Sequence, residues 1–424
     1  MDMAPKTLET SRSEILSTVD GQPLKKALAR TERTKRFKAI LLVAPLLTFI
    51  TVTFLYPICL MLFRSVENPL VAENMPQTLE VLQKWDGKSL PSELAFAAAA
   101  KDLAAARKSK MIGRLATRLN FETSGLRSVI TGTARKVKKM EAPFKEAMIQ
   151  ARSQWGDVAT WSTIKRLGPT IIDVNYLAAV DRGYNVKGEI ELRDEDRRIY
   201  VSLFGRTLLM SLIVTVASLF LGFPIAYLLA SLPLKYSNLL MILVLLPFWT
   251  SLLVRTTSWI VLLQTQGVLN DVMVWLGLFE DEQRVQLIFN AQGTVIAMTQ
   301  ILLPFMVLPL YSVMKTIHPS YMRAAESLGA HRYTAYWRIY VPNTLPGIGA
   351  GSLLVFILAI GYYITPALVG GQDGQMISNL IAFHMQKSLN WGLAAALGGI
   401  LLGGVVILYW LYNSLVGVER LKLG

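Results

Sequence analysis

Six long apolar stretches decide what this chain can fold into. Charge-free runs cover Ala39–Phe63, Thr207–Pro233, Val285–Met314, Val341–Gln372 and Ser388–Val418, and a sixth, Tyr236–Asn270, is interrupted only by Arg255. A helix needs about 20 mostly apolar residues to cross a bilayer, and each run is long enough. Most runs contain Pro or Gly, as in "LLPF" and "PALVGG". A soluble core helix rarely tolerates these residues, whereas a membrane helix does. The runs include loop residues, so the helices are expected to be shorter. The first run is too long for a cleaved leader and follows a basic tail, so it reads as an uncleaved anchor.

Composition agrees with a membrane chain. Hydrophobic residues make up 53% of the 424 and charged residues 17%, and the mean hydropathy is +0.41. Much of the apolar surface therefore faces lipid. The net charge of +14 fits Lys and Arg gathered in membrane-flanking loops better than nucleic acid as a partner. The single cysteine, Cys59, lies inside an apolar run. His318, His331 and His384 are scattered, with no metal-ligand spacing and no nucleophile triad. Neither a catalytic residue nor a metal or other cofactor is expected.

Loop charge sets the orientation. The N-terminal tail holds Lys25, Lys26, Arg30, Arg33, Lys35, Arg36 and Lys38; a later loop carries Lys235. Lys315, Arg323, Arg332 and Arg338 lie around the fourth loop, and Arg420 and Lys422 near the C-terminus. The loop near Asp271, Glu280, Asp281 and Glu282 is acidic. Short basic loops stay cytoplasmic, and with six spans all four basic sites fall on that side. The chain thus divides into a cytoplasmic tail 1–38, a first membrane helix 39–63, a periplasmic insert 64–200, and a five-helix core 201–424 carrying a cytoplasmic loop 316–342.

The insert reads as mainly helical. "PSELAFAAAAKDLAAARKSK" is a strong helix former, "GTARKVKKMEAPFKEAMIQARSQW" is helical with an interruption at Pro143, and "DRGYNVKGEIELRDEDRR" is a turn-containing lead into the second span. "WDGKSL" ends like a phosphate-binding loop, but Leu82 stands where that motif needs its first glycine, so no phosphate cradle is expected. Gly399 and Gly403 in "GGILLGG" suggest close helix packing.

"MRAAESLGAHRYTAYWRIYVP", Met322–Pro342, is polar, basic and rich in small residues. Pro319 suits a first helical turn, Gly329 a C-terminal cap, and Tyr333–Tyr340 a second short helix before Pro342 and Pro346 open the fifth span. Ala324, Ala325 and Gly329 would let another protein approach the backbone, with Arg323 and Glu326 as polar contacts at the rim.

This stretch resembles the EAA motif of the permease subunits of bacterial ATP-binding-cassette importers. Ala324-Ala325, Gly329, Ile339 and Val341-Pro342 stand at the family spacing, with Arg323 where Glu is usual and Val341 where Leu is usual. "LPFWTSLLVRTTSWIVLL", "YYITPALVGG" and "NWGLAAALGGILL" look like spans of the polyamine-type branch. The resemblance implies an all-α membrane protein with six transmembrane helices of the type I ABC importer permease kind in the bacterial inner membrane. It implies a loop that seats in a cytoplasmic ATPase dimer through Arg323, Ala324, Ala325, Glu326 and Gly329. It also implies a second permease subunit, expected as a different chain, and a periplasmic solute-binding protein. Having no phosphate-binding loop, the chain is a transport subunit and not an enzyme.

Arg255 is the one charge within a span, where a cation costs at least about 2.5–3.5 kcal/mol and usually faces a cavity or a partner. It is expected either to snorkel or pair with a carbonyl or acidic loop residue, or to line a cargo path with Trp249, Ser251, Tyr362 and Thr365. A secondary transporter or channel is the competing class. It would call for intramembrane carboxylates or an inverted repeat; the six runs contain no Asp or Glu and show no clear repeat.

Overall fold

The computed structural model describes residues 24–185, 187–278 and 280–416. The tail before Leu24, with Arg420 and Lys422 at the other end, lies outside the described residues. The chain divides into two units at Phe63 and Arg64. In the first, helix Leu24–Ile50 runs through a π-turn, Thr51–Leu55, into a helix beginning at Tyr56. It forms the candidate span Lys35–Val66, and none of its apolar window is buried.

In the second unit, Tyr200–Ser231, Ala291–Thr316, Arg332–Gly361 and Trp391–Ser414 are each long and apolar enough to cross a membrane. These are spans two, four, five and six. Span three is broken. Leu234–Trp249 and Leu252–Trp275 qualify only as a pair, bent by 97°. An uninterrupted Tyr236–Asn270 span was the expectation; the bend arises where Thr250 and Ser251 turn extended. The run expected to reach Gln372 stops as a helix at Gly361. It resumes as a short helix, Ile364–Val369.

Local chemistry fixes the helix ends. Span four starts at Ala291 and not at Val285, because the Asn290 side chain accepts the Gly293 N–H at 2.8 Å. Span five starts at Arg332, well before Val341, and is one continuous rod. Pro342 cannot donate to the carbonyl four residues back, and the π-turn Tyr336–Tyr340 immediately precedes it.

Spans two, four and five form the bundle core around Met210, Val214, Leu302, Met306, Val307 and Val355. A Cβ on Gly351 would stand 2.8 Å from the Met306 sulfur, and one on Gly347 3.0 Å from Val313 Cβ. Their bare backbones therefore let span five approach span four closely. The close packing expected of the span-six glycines is not realised at Gly403 or Gly404, where a Cβ would meet nothing within 4 Å.

The segment between spans one and two builds its own core. Phe96, Trp155 and Trp161 are fully buried among Leu82, Leu103, Leu115 and Ile130. Trp161 meets Phe96 edge-on at 4.6 Å and donates to the Trp155 carbonyl at 2.9 Å. Asp102, also buried, accepts the Thr78 N–H at 2.8 Å and its hydroxyl at 2.7 Å. Burial pushes the Asp102 carboxyl above its ordinary range, and the Thr78 bonds offset part of that. The expected turn near the end of the insert is an antiparallel hairpin, Arg182–Tyr184 with Ile190–Leu192.

An isolated bridge ties the start of the insert to its later part, Asn68 N–H to Thr170 O at 2.7 Å and Ile172 N–H to Val66 O at 2.8 Å, and a carboxylate joins the insert to the bundle. Asp181, 4% exposed, accepts the N–H groups of Tyr200 and Val201 at 3.0 and 2.8 Å. It thereby caps span two from within the insert and starts that helix at Tyr200, not at the expected Thr207. At the other end of span two, Lys315 Nζ donates to Ala230 O at 3.3 Å. The insert and the loop 316–342 thus lie at opposite ends of a helix about 48 Å long.

Trp161→Ala should destabilise the insert by about 3–5 kcal/mol. Trypsin treatment of the full-length chain in detergent should then cut faster within residues 67–198; cleavage at the parent rate would show that this aromatic core does not hold the domain together.

Candidate functional site

The loop at the far end of the bundle is a rigid helix–turn–helix. Helix Ser320–Ser327 has Pro319 as its N-cap, one position earlier than a first-turn proline. The helix closes with Gly329 N–H to Glu326 O and Ala330 N–H to Ala325 O, both 3.0 Å. Gly329 has φ +86°, the left-handed backbone that a glycine cap supplies without strain. Helix Arg332–Ala335 follows and runs through the π-turn into span five.

The five residues singled out from the sequence do not share one role. Ala324, Gly329, Arg323 and Glu326 are exposed, whereas Ala325 is only 5% exposed. Ala325 and Ala335 are both buried where the two short helices meet. The expectation that Ala325 opens the backbone to a partner is corrected on that ground: its small size serves the loop's own packing. Among the described residues Arg323 and Glu326 form no ion pair.

Sequence reasoning missed the apolar residues that the loop presents. Leu328 is 89% exposed, and Tyr321, Tyr333 and Trp337 of the same loop are exposed as well. It also missed the aromatic anchor. Tyr227 of span two meets Tyr336 and Tyr340 edge-on at 5.6 and 5.3 Å, and those two rings stack at 5.5 Å. The signal was present in "AYWRIY", with tyrosines four apart on one helical face.

The second cluster lies where spans three and five break. Thr250 donates through Oγ1 to Pro247 O at 2.8 Å, and Ser251 caps the next helix by accepting the Val254 N–H at 3.2 Å. Arg255 donates from Nη2 to Thr250 O at 3.3 Å, while its buried Nε has no hydrogen-bond partner among the described residues. In span five, Ser378 Oγ donates to Ile360 O at 2.6 Å and Asn379 Nδ2 to Tyr363 O at 2.7 Å. Side chains thus pair carbonyls that the helix breaks release.

The two breaks meet. Thr256, the residue after Arg255, is fully buried with its hydroxyl 3.4 Å from that of Thr365. Of the five cargo-path candidates, Thr365 meets Thr256, the chain neighbour of Arg255, and Tyr362 ends the first helical part of span five; Ser251 serves as the cap and Trp249 is 75% exposed. Thr256, Gln300 and Trp259, whose Nε1 donates to Gln300 Oε1 at 3.1 Å, add polar groups that were not singled out.

Residues 200–417 match the family described as the inner membrane component of binding-protein-dependent transport systems. The spermidine/putrescine transport system permease protein PotB of Escherichia coli is 37% identical over 221 residues, 51% of this chain and 80% of that protein. The Haemophilus influenzae protein of the same name is 34% identical over 222 residues, 51% of this chain and 77% of its own. Among solved structures, a bacterial ABC transporter involved in the import of the acidic polysaccharide alginate aligns with 20% identity and a TM-score of 0.43, over 55% of this chain and 82% of that one. The chain belongs to the family of binding-protein-dependent transport inner membrane components and is a multi-pass permease subunit of an ATP-binding-cassette importer.

Proposed function

We propose that the loop 319–342 is the lever through which a separate cytoplasmic ATPase dimer drives this permease. The observation that carries the reading is the continuity of the loop with the bundle. Its second helix is the start of span five, its tyrosines seat on span two, and Lys315 ties the end of span four to span two. A push on such a loop moves three packed spans with little slack. Exposed Leu328, Tyr321, Tyr333 and Trp337 supply apolar anchors for a groove on the ATPase, with Arg323 and Glu326 at the rim. A second permease half completes the path, and a periplasmic solute-binding protein delivers the cargo. The names of the relatives support a polyamine as that cargo. On this reading both termini and the loop are cytoplasmic and the insert is periplasmic.

The breaks in spans three and five support a cargo path, because discontinuous membrane helices are tolerated where they line a cavity and hold substrate near the midplane. Arg255, Tyr362 and Thr365 are the residues assigned to it.

Ala324→Trp tests the lever. It places bulk on the exposed helix face and leaves intact the left-handed turn that any side chain at Gly329 would strain. Uptake in cells should fall about tenfold or more, equivalent to ~1.4 kcal/mol of lost docking free energy, with membrane insertion unchanged. Transport at the parent rate would remove the loop from the ATPase interface.

Trypsin tests the orientation. Exposed Lys108 and Lys110 should be cut in spheroplasts and protected in inside-out vesicles. The reverse pattern would overturn the six-span assignment with both termini inside.

Arg255→Lys should keep part of the uptake because a cation remains in place. Arg255→Gln should lose more and shift the ratio of cationic to anionic solute taken up, with the yield of assembled complex unchanged in both. Equal loss in both variants with a lowered yield would instead mean that the planar fork braces the helix break, a role Lys cannot fill.

A further inference from the structure

A cleft of about 990 Å³ opens between the insert and the turn that leads into span six. Six of the side chains lining it are cations: Arg64, Lys110, Arg114, Arg118, Arg127 and Lys387. Arg64, Lys110, Arg114, Arg127 and Lys387 are exposed and form no ion pair among the described residues. Glu67 is the one acid in the lining; nearby Glu122 is already held by Arg118 at 3.2 Å and Arg193 at 3.6 Å. Gly113 and Arg114, in the first turn of helix Ile112–Glu122, also line the cleft. The positive end of that helix therefore adds to the side-chain charge.

Arg118 forms the buried floor of the cleft. It is 9% exposed, donates from Nε to Asn68 Oδ1 at 2.8 Å, pairs through Nη1 with Glu122, and has a buried Nη2 with no hydrogen-bond partner among the described residues. An unpaired buried guanidinium N–H is costly unless an acceptor arrives.

The level of the cleft identifies the acceptor. Arg64 and Glu67 stand where the candidate span Lys35–Val66 ends, and Trp391, which also lines the cleft, is the first residue of span six. Trp391 is 48% exposed and Leu389 63% exposed, an aromatic and an aliphatic side chain at the height where headgroups meet acyl chains. We propose that this cleft binds the phosphate-bearing headgroup of an anionic phospholipid, with the exposed cations Arg64, Lys110, Arg114, Arg127 and Lys387 around the phosphate and Trp391 and Leu389 along the acyl chains. A basic pocket beside membrane helices is the chemistry that recognises such headgroups. The inference depends neither on the cargo nor on the ATPase.

The test uses the full-length chain in mild detergent and native mass spectrometry with three probes: short-chain phosphatidylglycerol, short-chain phosphatidylcholine and inorganic phosphate. Phosphatidylglycerol should bind about tenfold or more tighter than phosphatidylcholine, and less tightly as ionic strength rises. The triple variant K110E/R114E/R127E changes only exposed side chains and should lose that preference while keeping the parent's melting temperature without lipid. Should the variant fail to fold, the lipid preference and salt dependence of the parent chain decide alone. Equal binding of the two lipids, or a preference that survives charge reversal in a folded variant, would overturn the proposal. Displacement of phosphatidylglycerol by an equal concentration of inorganic phosphate would make this a free-anion site and overturn the lipid source. If charge reversal abolished capture of a solute-binding protein but left lipid binding intact, the cleft would be a protein-docking surface instead.

Discussion

The bundle depends on one constraint: a backbone carbonyl at membrane depth needs a donor. Unbroken helical turns meet it internally; the prolines inside spans two and four, Pro224, Pro304 and Pro309, each remove one such donor. Spans three and five stop being helical in mid-course, and there side chains take over. Arg255, Thr250, Ser378 and Asn379 donate to carbonyls at or beside the two breaks. Polar residues that look costly in an apolar run are therefore the condition for the run to bend. The same bends bring Thr256 onto Thr365, so the feature that closes the hydrogen-bond account also gathers polar groups from two spans.

Rigidity at the two ends of span two has a different origin at each end. At the insert end it is a buried carboxylate, Asp181, on two helix N–H groups. At the loop end it is aromatic packing of Tyr227 with Tyr336 and Tyr340. A hydrogen-bonded cap fixes a helix start, while ring packing allows contact to persist as helices slide. The loop is also continuous with span five, so a displacement of one is a displacement of the other.

The membrane helices were legible because their signal is local: a run of apolar residues about 20 long is enough to state a span. The cap at Gly329 was legible for the same reason, since a glycine after a helical stretch is the residue that turns left-handed without strain. What could not be read was which way a small residue faces. Ala324 and Ala325 are indistinguishable in the sequence, yet one is exposed and the other is shut between two helices, because successive helical positions point about 100° apart. At Gly403 of span six, where a Cβ would meet nothing within 4 Å in this chain, the limit is related. A Gly-x-x-x-Gly spacing permits close packing but does not name a neighbour, and within this chain the close approach is made by Gly347 and Gly351 instead.

The sequence by itself determined the count and rough limits of the spans, the helical character of the insert and the motif of the loop, all of which follow from hydropathy, propensity and spacing along the chain. Tertiary structure alone decided the 97° bend in span three, the meeting of two breaks more than a hundred residues apart at Thr256 and Thr365, the cap that Asp181 places on a helix it precedes, and the gathering of six cations from distant segments in one cleft. The bend is a change of backbone direction inside an apolar run and the other three join residues from separate segments; no local pattern of charge or hydropathy encodes either.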